Sequence, residues 1–203
     1  MIEYNAKYIN GAPDWESLDK APISNPYLNT PDNISAYAQL CYDDNQFYLH
    51  FVKTEPSTLI AQSGELGAPC QDSCLEFFFS PINGDKRYIN IEFNASGCVY
   101  FGVASNIPSL LRLTAEGKKT SELFCPKAAV TNTGWELFYT VPFELVKRLF
   151  PGFDITKQDS MLANFFTCAD DTTPPHYLSW SKIEGEPFTF HKQHCFGKIN
   201  FVK

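Results

Sequence analysis

The sequence predicts an all-β fold, an antiparallel sandwich of the jelly-roll type with one short helix. Two adjacent segments, 72–80 and 87–94, alternate apolar with polar residues, as strands with one buried face do. Further short strand-like runs follow along the chain, separated by turns rich in Asn, Asp and Gly. A chain of 203 residues can bury one large core, so we expect a single domain over residues 1–203.

The predicted strands lie at residues 36–41, 46–52, 75–80, 88–94, 98–103, 110–114, 127–131, 135–141, 161–168 and 197–202. The turn Asp43-Asp44-Asn45 joins the first two strands as a hairpin. Residues 142–150 are the one predicted helix, with Pro142 near its start and Pro151-Gly152 after its end. Residues 12–34 and 169–195 are rich in Pro, Asn, Asp and Ser, which predicts long loops, where binding residues tend to lie.

The composition argues against nucleic-acid and membrane partners. The chain has 16 Lys and Arg against 23 Asp and Glu, a formal net charge of -7, whereas nucleic acids and anionic membranes attract basic patches. No apolar run approaches the ~20 residues that cross a bilayer. Residues 1–5 lack the basic and apolar segments of a signal peptide, so we expect a cytoplasmic protein, and export is left open if the N-terminus is trimmed. We also expect a monomer.

The seven cysteines do not form the even framework of a small secreted scaffold, which favours free thiols. Two short spacings, Cys70-x3-Cys74 and His191-x2-His194-Cys195, would also suit zinc ligands. Because no CxxC pair occurs and Cys74 begins an alternating strand, we interpret the cysteines as structural thiols.

Two faces follow from the alternation of the segments 72–80 and 87–94. The predicted core face consists of Leu75, Phe77, Phe79, Ile89, Ile91 and Phe93. The opposite face carries Glu76, Asn90, Glu92 and Asn94. Carboxylates and amides in mid-strand, with few cations nearby, suit a surface that hydrogen-bonds a hydroxyl-rich ligand or coordinates a cation. This polar face is therefore the first candidate for a functional site.

Four segments resemble, in order and spacing, the family 9 carbohydrate-binding modules and their DOMON-like relatives. They are Tyr42-Asp43-Asp44-Asn45-Gln46-Phe47-Tyr48-Leu49, Gln71-Asp72-Ser73-Cys74-Leu75-Glu76-Phe77-Phe78-Phe79, Trp135-Glu136-Leu137-Phe138-Tyr139-Thr140-Val141-Pro142, and Leu178-Ser179-Trp180-Ser181 with Phe190-His191 and Phe196-Gly197-Lys198-Ile199. The set covers the chain from about residue 36 to its end. The resemblance implies a β-sandwich that binds a sugar, with structural calcium in several relatives.

The resemblance also implies site residues. In the family's sugar sites, two tryptophans clamp a pyranose beside a strand carboxylate. Trp180 matches one tryptophan and Glu76 the carboxylate, whereas Cys70 stands where the other tryptophan is expected. Asn90 and Glu92 occupy the places of a basic residue of those sites. With Tyr88 on the same strand, the predicted ligand-binding residues are Trp180, Glu76, Asn90, Glu92 and Tyr88.

Other interpretations of the same residues stay open. Trp180 could simply plug the end of the sandwich, and Glu76 and Glu92 could be solvated positions. The two carboxylates could also serve as acid and base or nucleophile of a glycoside hydrolase. A DOMON-like haem domain would need an axial pair, for which the candidates are Met161, His50, His176, His191 and His194.

Acidic residues in turns suggest a cation site. Asp43 and Asp44 in the first hairpin turn and Asp170 after residues 161–168 offer oxygen ligands of the kind that calcium prefers. Ordinary acidic turns would give the same pattern. We therefore expect modest stabilisation by calcium, none specific to zinc, and a non-catalytic carbohydrate-binding module as the main function.

Overall fold

The computed structural model describes residues 1–28 and 30–203, which are mostly β-structure with one short α-helix, as the sequence predicts. The strands are β1 (Glu3–Tyr8), β2 (Ala21–Ile23), β3 (Asn25–Tyr27), β4 (Ser35–Tyr42), β5 (Gln46–Thr54), β6 (Cys74–Ser80), β7 (Tyr88–Asn94), β8 (Val99–Ala104), β9 (Leu111–Arg112), β10 (Lys127–Thr131), β11 (Gly134–Pro142), β12 (Ser160–Ala169), β13 (His176–Ser179) and β14 (Gly197–Val202). The helix α1 spans Phe143–Leu149. Within the described ranges, no helix has the length and apolar character needed to span a membrane.

The strands form one curled sheet in which β1 joins two antiparallel halves. The order is β10-β11-β5-β4-β1-β14-β12-β6-β7-β8-β9, with β2 beside β4 and β13 between β12 and β3. β1 pairs in parallel with both β14 and β4. The predicted purely antiparallel arrangement is therefore wrong at β1, because this strand lies between two strands that point the same way.

Four strands lie outside the predicted set. β2, β3 and β13 fall within the predicted long loops, and β1 lies at the start of the chain. β2 and β3 contain Pro22 and Pro26, and each pairs with a single neighbour. Proline is tolerated at a sheet edge because its missing amide hydrogen is not needed for a ladder on the open side. The prolines and polar residues that predict loops here are thus compatible with short edge strands.

The two halves of the sheet face each other across an aromatic core. Phe47 of β5 contacts Phe79 of β6, with ring centroids 6.0 Å apart, and Phe51 of β5 contacts Phe165 of β12 at 5.7 Å. The six residues of the predicted core face are all at most 1% exposed. The prediction of this face is confirmed.

The outer face of β6, β7 and β12 is covered as well, by residues 180–196. Phe190 stacks on Phe166 of β12 with ring centroids 4.2 Å apart. His191 lies over β7, where its Nδ1 is 2.8 Å from the hydroxyl oxygen of Tyr88. A second apolar cluster therefore lies on the outer face of the sheet. Glu76, Asn90 and Glu92 on the same face are buried as well.

Candidate functional site

Glu76 and Glu92 meet on the outer face of β6 and β7. The two residues are opposite each other in the antiparallel ladder, and Tyr100 of β8 is opposite Glu92 on its other side. Only 3% of Glu76 and 7% of Glu92 is exposed. The alternation of the sequence thus correctly predicts that these carboxyl groups share a face, but the alternative of solvated positions is wrong because both residues are buried.

Each carboxyl group of this pair has one protein hydrogen-bond donor. The thiol of Cys168 donates to Glu76 Oε1 at 2.9 Å, and Asn90 Nδ2 donates to Glu92 Oε1 at 2.9 Å. Asn90 Oδ1 is buried and has no hydrogen-bond partner among the described residues. The pair and its neighbour Asn90 therefore keep hydrogen-bonding capacity that the protein does not use.

The pKa values of both carboxyl groups are raised. Burial is the main cause for Glu76, and the nearby charge of Glu92 adds to it, so its pKa lies well above the usual range. Burial likewise raises the pKa of Glu92 to about 7, against the effect of the hydrogen bond from Asn90. Near neutral pH the pair consequently retains at least one proton and offers a hydroxyl donor beside carboxyl acceptors. Such a pair can bind sugar hydroxyl groups in both directions.

Two tyrosines flank the acidic pair across the sheet. Tyr100 of β8 and Tyr177 of β13 are both partly exposed, and Tyr177 is opposite Cys168, whose side chain lies on the same outer face. Burial raises the pKa of Tyr177 to about 12, and the nearby carboxylate of Asp170 adds to the effect. The guanidinium of Arg112 lies over the ring of Tyr100, 4.8 Å from its centroid. We call Glu76, Glu92, Tyr100 and Tyr177 the outer-face site.

Cys70 lies beside the outer-face site on the loop that precedes β6. Its carbonyl accepts a hydrogen bond from the amide of Asp170 at 3.0 Å, which ties this loop to the end of β12. Burial raises the pKa of the Cys70 thiol, and the charges of Glu92 and Glu76 add to the effect. The position that holds a tryptophan in the family's sugar sites thus carries a small neutral thiol, which leaves more space and less aromatic surface.

Trp180 lies in the core instead of at a binding surface. It is 2% exposed, its ring centroid is 5.5 Å from that of Phe165, and its ring packs against Gly197 so closely that a Cβ there would clash. The prediction that Trp180 stacks on a sugar does not fit this burial, because the ring has no free face. Tyr177 lies on β13, three residues before Trp180, and is partly exposed.

Tyr88 is fully buried beneath the segment 180–196, where its ring packs against Phe78 and its hydroxyl lies against His191. Its geometry corresponds to a structural role in the second apolar cluster. Asn90, in contrast, shares the outer face with Glu92 and contacts it directly.

The three predicted cation ligands do not gather into one group. Asp43 uses Oδ1 to accept the amides of Asn45 and Gln46, and its Oδ2 accepts the hydroxyl of Tyr48. Asp44 accepts a hydrogen bond from Tyr8. Within the described ranges, the one group of three metal-ligating side chains is Cys74, Glu76 and Cys168, without Asp43, Asp44 or Asp170. The predicted aspartate set therefore does not fit a single calcium ion.

A separate cavity of about 540 Å³ lies between residues 31–34, 55–59 and 171–176. In this cavity Glu55 lies 3.0 Å from the ammonium of the buried Lys53 and 3.6 Å from His176 Nε2. The outer-face site differs from the cavity because its two carboxyl groups lie opposite each other, next to an aromatic ring, without such an ammonium at 3.0 Å among the described contacts.

Comparison with known proteins assigns the sequence to a family. The sequence profile of carbohydrate-binding family 9 matches residues 23–201. No curated protein matches the chain.

Solved structures show the same fold. A candidate carbohydrate-binding protein from Bacteroides uniformis has a TM-score of 0.80 and 23% identity, with 98% of each chain covered. A family 9 carbohydrate-binding module from Caldicellulosiruptor kristjanssonii in complex with cellotriose has a TM-score of 0.66 and 13% identity, with 99% of this chain and 94% of that one covered. The glucose complex of a family 9 module from the same organism gives a TM-score of 0.68 and 13% identity, with 98% and 95% covered. Because the family profile matches most of its length, the chain belongs to carbohydrate-binding family 9.

Proposed function

We propose that the chain is a non-catalytic module that binds a carbohydrate at the outer-face site. The observation that carries the proposal is the buried, in-register pair of Glu76 and Glu92 between two partly exposed tyrosines, in a chain of carbohydrate-binding family 9. The similar modules from Caldicellulosiruptor kristjanssonii were solved with cellotriose and glucose, so a glucose-type pyranose is the first ligand to test.

The chemistry of the site suits a neutral sugar. The acidic pair and the free Oδ1 of Asn90 offer hydrogen-bond partners for ring hydroxyls, and Tyr100 or Tyr177 can place a ring face against the C–H face of a pyranose. Cys70 supplies no second large aromatic face of the kind that the family's two-tryptophan sites use. We therefore expect weaker binding of glucose, or a preference for a bulkier sugar, than in those sites.

A glycoside hydrolase is the second candidate, and one observation favours it: two adjacent carboxyl groups, one with a pKa of about 7. A carboxyl group with such a pKa can act as a general acid. Against this alternative, the matching family is one of carbohydrate-binding modules. Release of a chromogenic phenol from an aryl glycoside, lost in both Glu76→Gln and Glu92→Gln, would favour the enzyme.

Several finer expectations stay predictions. The jelly-roll and DOMON-like description, a monomer in solution and a cytoplasmic location follow from sequence reasoning. Haem binding would require an axial pair, but Met161 lies in the hydrophobic core and His191 contacts Tyr88. Calcium binding is tested by the thermal midpoint of chelator-treated protein, which should rise in millimolar calcium if a site exists.

Calorimetric titration with glucose and cellotriose tests the proposed function. Tyr177→Ala and Glu92→Gln should each weaken binding by about 10- to 100-fold, which corresponds to ~1.4 to 2.7 kcal/mol for a lost aromatic contact or a lost hydrogen bond to a charged group. Glu136→Gln is the matched control, because Glu136 lies on β11 in the other half of the sheet and is partly exposed. A wild-type chain that binds neither sugar nor any member of a glycan array would contradict the proposal.

A further inference from the structure

Two cysteines and one glutamate form a compact group on the outer face of β6 and β12. Cys74 and Cys168 are opposite each other in the antiparallel ladder, and Glu76 lies two residues further along β6. The thiol sulfurs and one carboxylate oxygen all lie within 4.8 Å of one another. All three side chains are buried. Their close approach depends on pairing between strands that are distant in the sequence.

The group has the composition and size of a metal site with soft ligands. Two sulfurs and one oxygen are a ligand set that zinc accepts, with bonds of about 2.3 Å to sulfur and about 2.0 to 2.2 Å to oxygen. Ligand atoms of a tetrahedral zinc site are consequently about 3.4 to 3.8 Å apart. The sulfur of Cys168 is already 2.9 Å from Glu76 Oε1, so small side-chain rotations would bring all three atoms to a common centre.

The ammonium of Lys53 lies close to the group but does not oppose a bound cation. It donates to the carbonyl of Cys168 at 3.2 Å, and its charge is balanced by Glu55 at 3.0 Å. A divalent ion would supply the positive charge that two buried thiolates and a carboxylate require.

In contrast to the expectation from the sequence, we propose that Cys74, Cys168 and Glu76 bind a soft divalent cation, Zn²⁺ in the reduced protein. Binding forms two metal–sulfur bonds and one metal–oxygen bond, and the thiol protons, with any proton on Glu76, pass to solvent. The fourth position is left for water. The proposal does not rest on sugar binding. It shares Glu76 with the outer-face site, so metal and sugar should compete.

Titration of the reduced, chelator-treated full chain with Cd²⁺ tests the site through the ultraviolet thiolate-to-metal charge-transfer band. We expect one equivalent of Cd²⁺ to bind, with Zn²⁺ as competitor. Cys74→Ser and Cys168→Ser should each weaken binding by more than about 100-fold, beyond the typical cost of losing a group that only supports a ligand. Cys41→Ser is the matched control, since Cys41 is equally buried but lies on β4 outside the group, and it should keep the band.

Zinc X-ray absorption of the wild type keeps the test decisive if the serine variants fail to fold. Two sulfur neighbours at the metal would support the proposal, whereas a shell of nitrogen and oxygen alone would overturn it. Absence of a charge-transfer band in the wild type, or its persistence in both serine variants, would also overturn it. Failure of the metal proposal is distinguishable from failure of the sugar proposal. Tyr177→Ala should lose sugar binding and keep the metal band, whereas Cys74→Ser should lose the metal band and keep sugar binding.

Discussion

The two faces of β6 and β7 are equally buried but are built from opposite chemistry. On the inner face, Phe77 stacks on Phe79 and Phe165 with ring centroids 4.7 Å and 5.2 Å apart. On the outer face, one residue before Phe77, Glu76 meets Glu92 under a cover of loop residues. Burial of the inner face stabilises the fold, whereas burial of the outer face costs free energy because ionised carboxyl groups lose water. The proposed function accounts for this difference, because it assigns the outer face to ligand binding.

Truncation of the inner face should have the largest effect on stability. We expect Phe77→Ala to lower the free energy of unfolding by about 3 to 5 kcal/mol, because it removes a fully buried ring and leaves a cavity. Denaturant unfolding measures this change. A loss below about 1 kcal/mol would mean that the inner face is not tightly packed.

Trp180→Ala should affect the stability of the core and leave sugar binding at the outer-face site unchanged. Since its ring is packed between Phe165 and Gly197, Trp180→Ala should cost about 3 to 5 kcal/mol of stability. The folded fraction of this variant should retain the sugar affinity of the wild type. If the variant instead keeps its stability and loses only sugar binding, Trp180 stacks on the ligand and its burial in the core is wrong.

The acidic pair should make stability fall as pH rises. A carboxyl group whose pKa is raised on folding binds more protons in the folded than in the unfolded state. The contribution of Glu92 is therefore fully present below its unfolded pKa of about 4.3 and is lost as pH rises through its folded value of about 7.

Glu92→Gln should remove the contribution of Glu92 to the pH dependence of the free energy of unfolding. Glu92→Gln should match the wild type near pH 4 and be more stable than it above pH 7, by an amount on the order of a few kcal/mol. Urea unfolding of both proteins across this pH range measures the gap. If the difference in the free energy of unfolding between the two proteins does not grow with pH, Glu92 is not a buried carboxyl group with a raised pKa.

The smallest expected effect is at Tyr88, which holds the covering segment in place. Tyr88→Phe removes the contact between its hydroxyl and His191 and should cost about 0.5 to 1.5 kcal/mol, as one hydrogen bond does. The sugar affinity should change little, because Tyr88 lies under the cover. A loss of binding as large as that expected for Tyr177→Ala would place Tyr88 in the site, as predicted from the sequence.

Local signals in the sequence predict the inner face, the helix and the position of Glu76 beside Glu92. Alternation over consecutive residues is sufficient for these features, since neighbouring strands joined by a short turn pair in a determined way. The cover by residues 180–196 and the parallel pairing of β1 depend on contacts between distant segments. No local pattern encodes them.

Dependence on contacts between distant segments also explains why the role of Trp180 and the proximity of Cys74 to Cys168 were not predicted correctly. The side of the sheet to which Trp180 points depends on how β13 pairs with β12, where Phe166 is opposite Ser179 and Cys168 is opposite Tyr177. This register cannot be derived from the residues around Trp180 alone. The neighbourhood of Cys74 and Cys168 likewise depends on the pairing of β6 with β12.

The most direct test of the account is a map of amide chemical shifts of the labelled chain during titration with glucose and cellotriose. Sugar binding at the outer-face site should give saturable shifts around Glu92, Tyr100 and Tyr177, which weaken in Glu92→Gln and persist in Glu136→Gln. The competing surface is the outer face of the other half, where Phe138 stacks on His50 with ring centroids 4.1 Å apart beside Trp15. Shifts confined to that surface, or no shifts at saturating sugar, would contradict the assignment of the outer-face site.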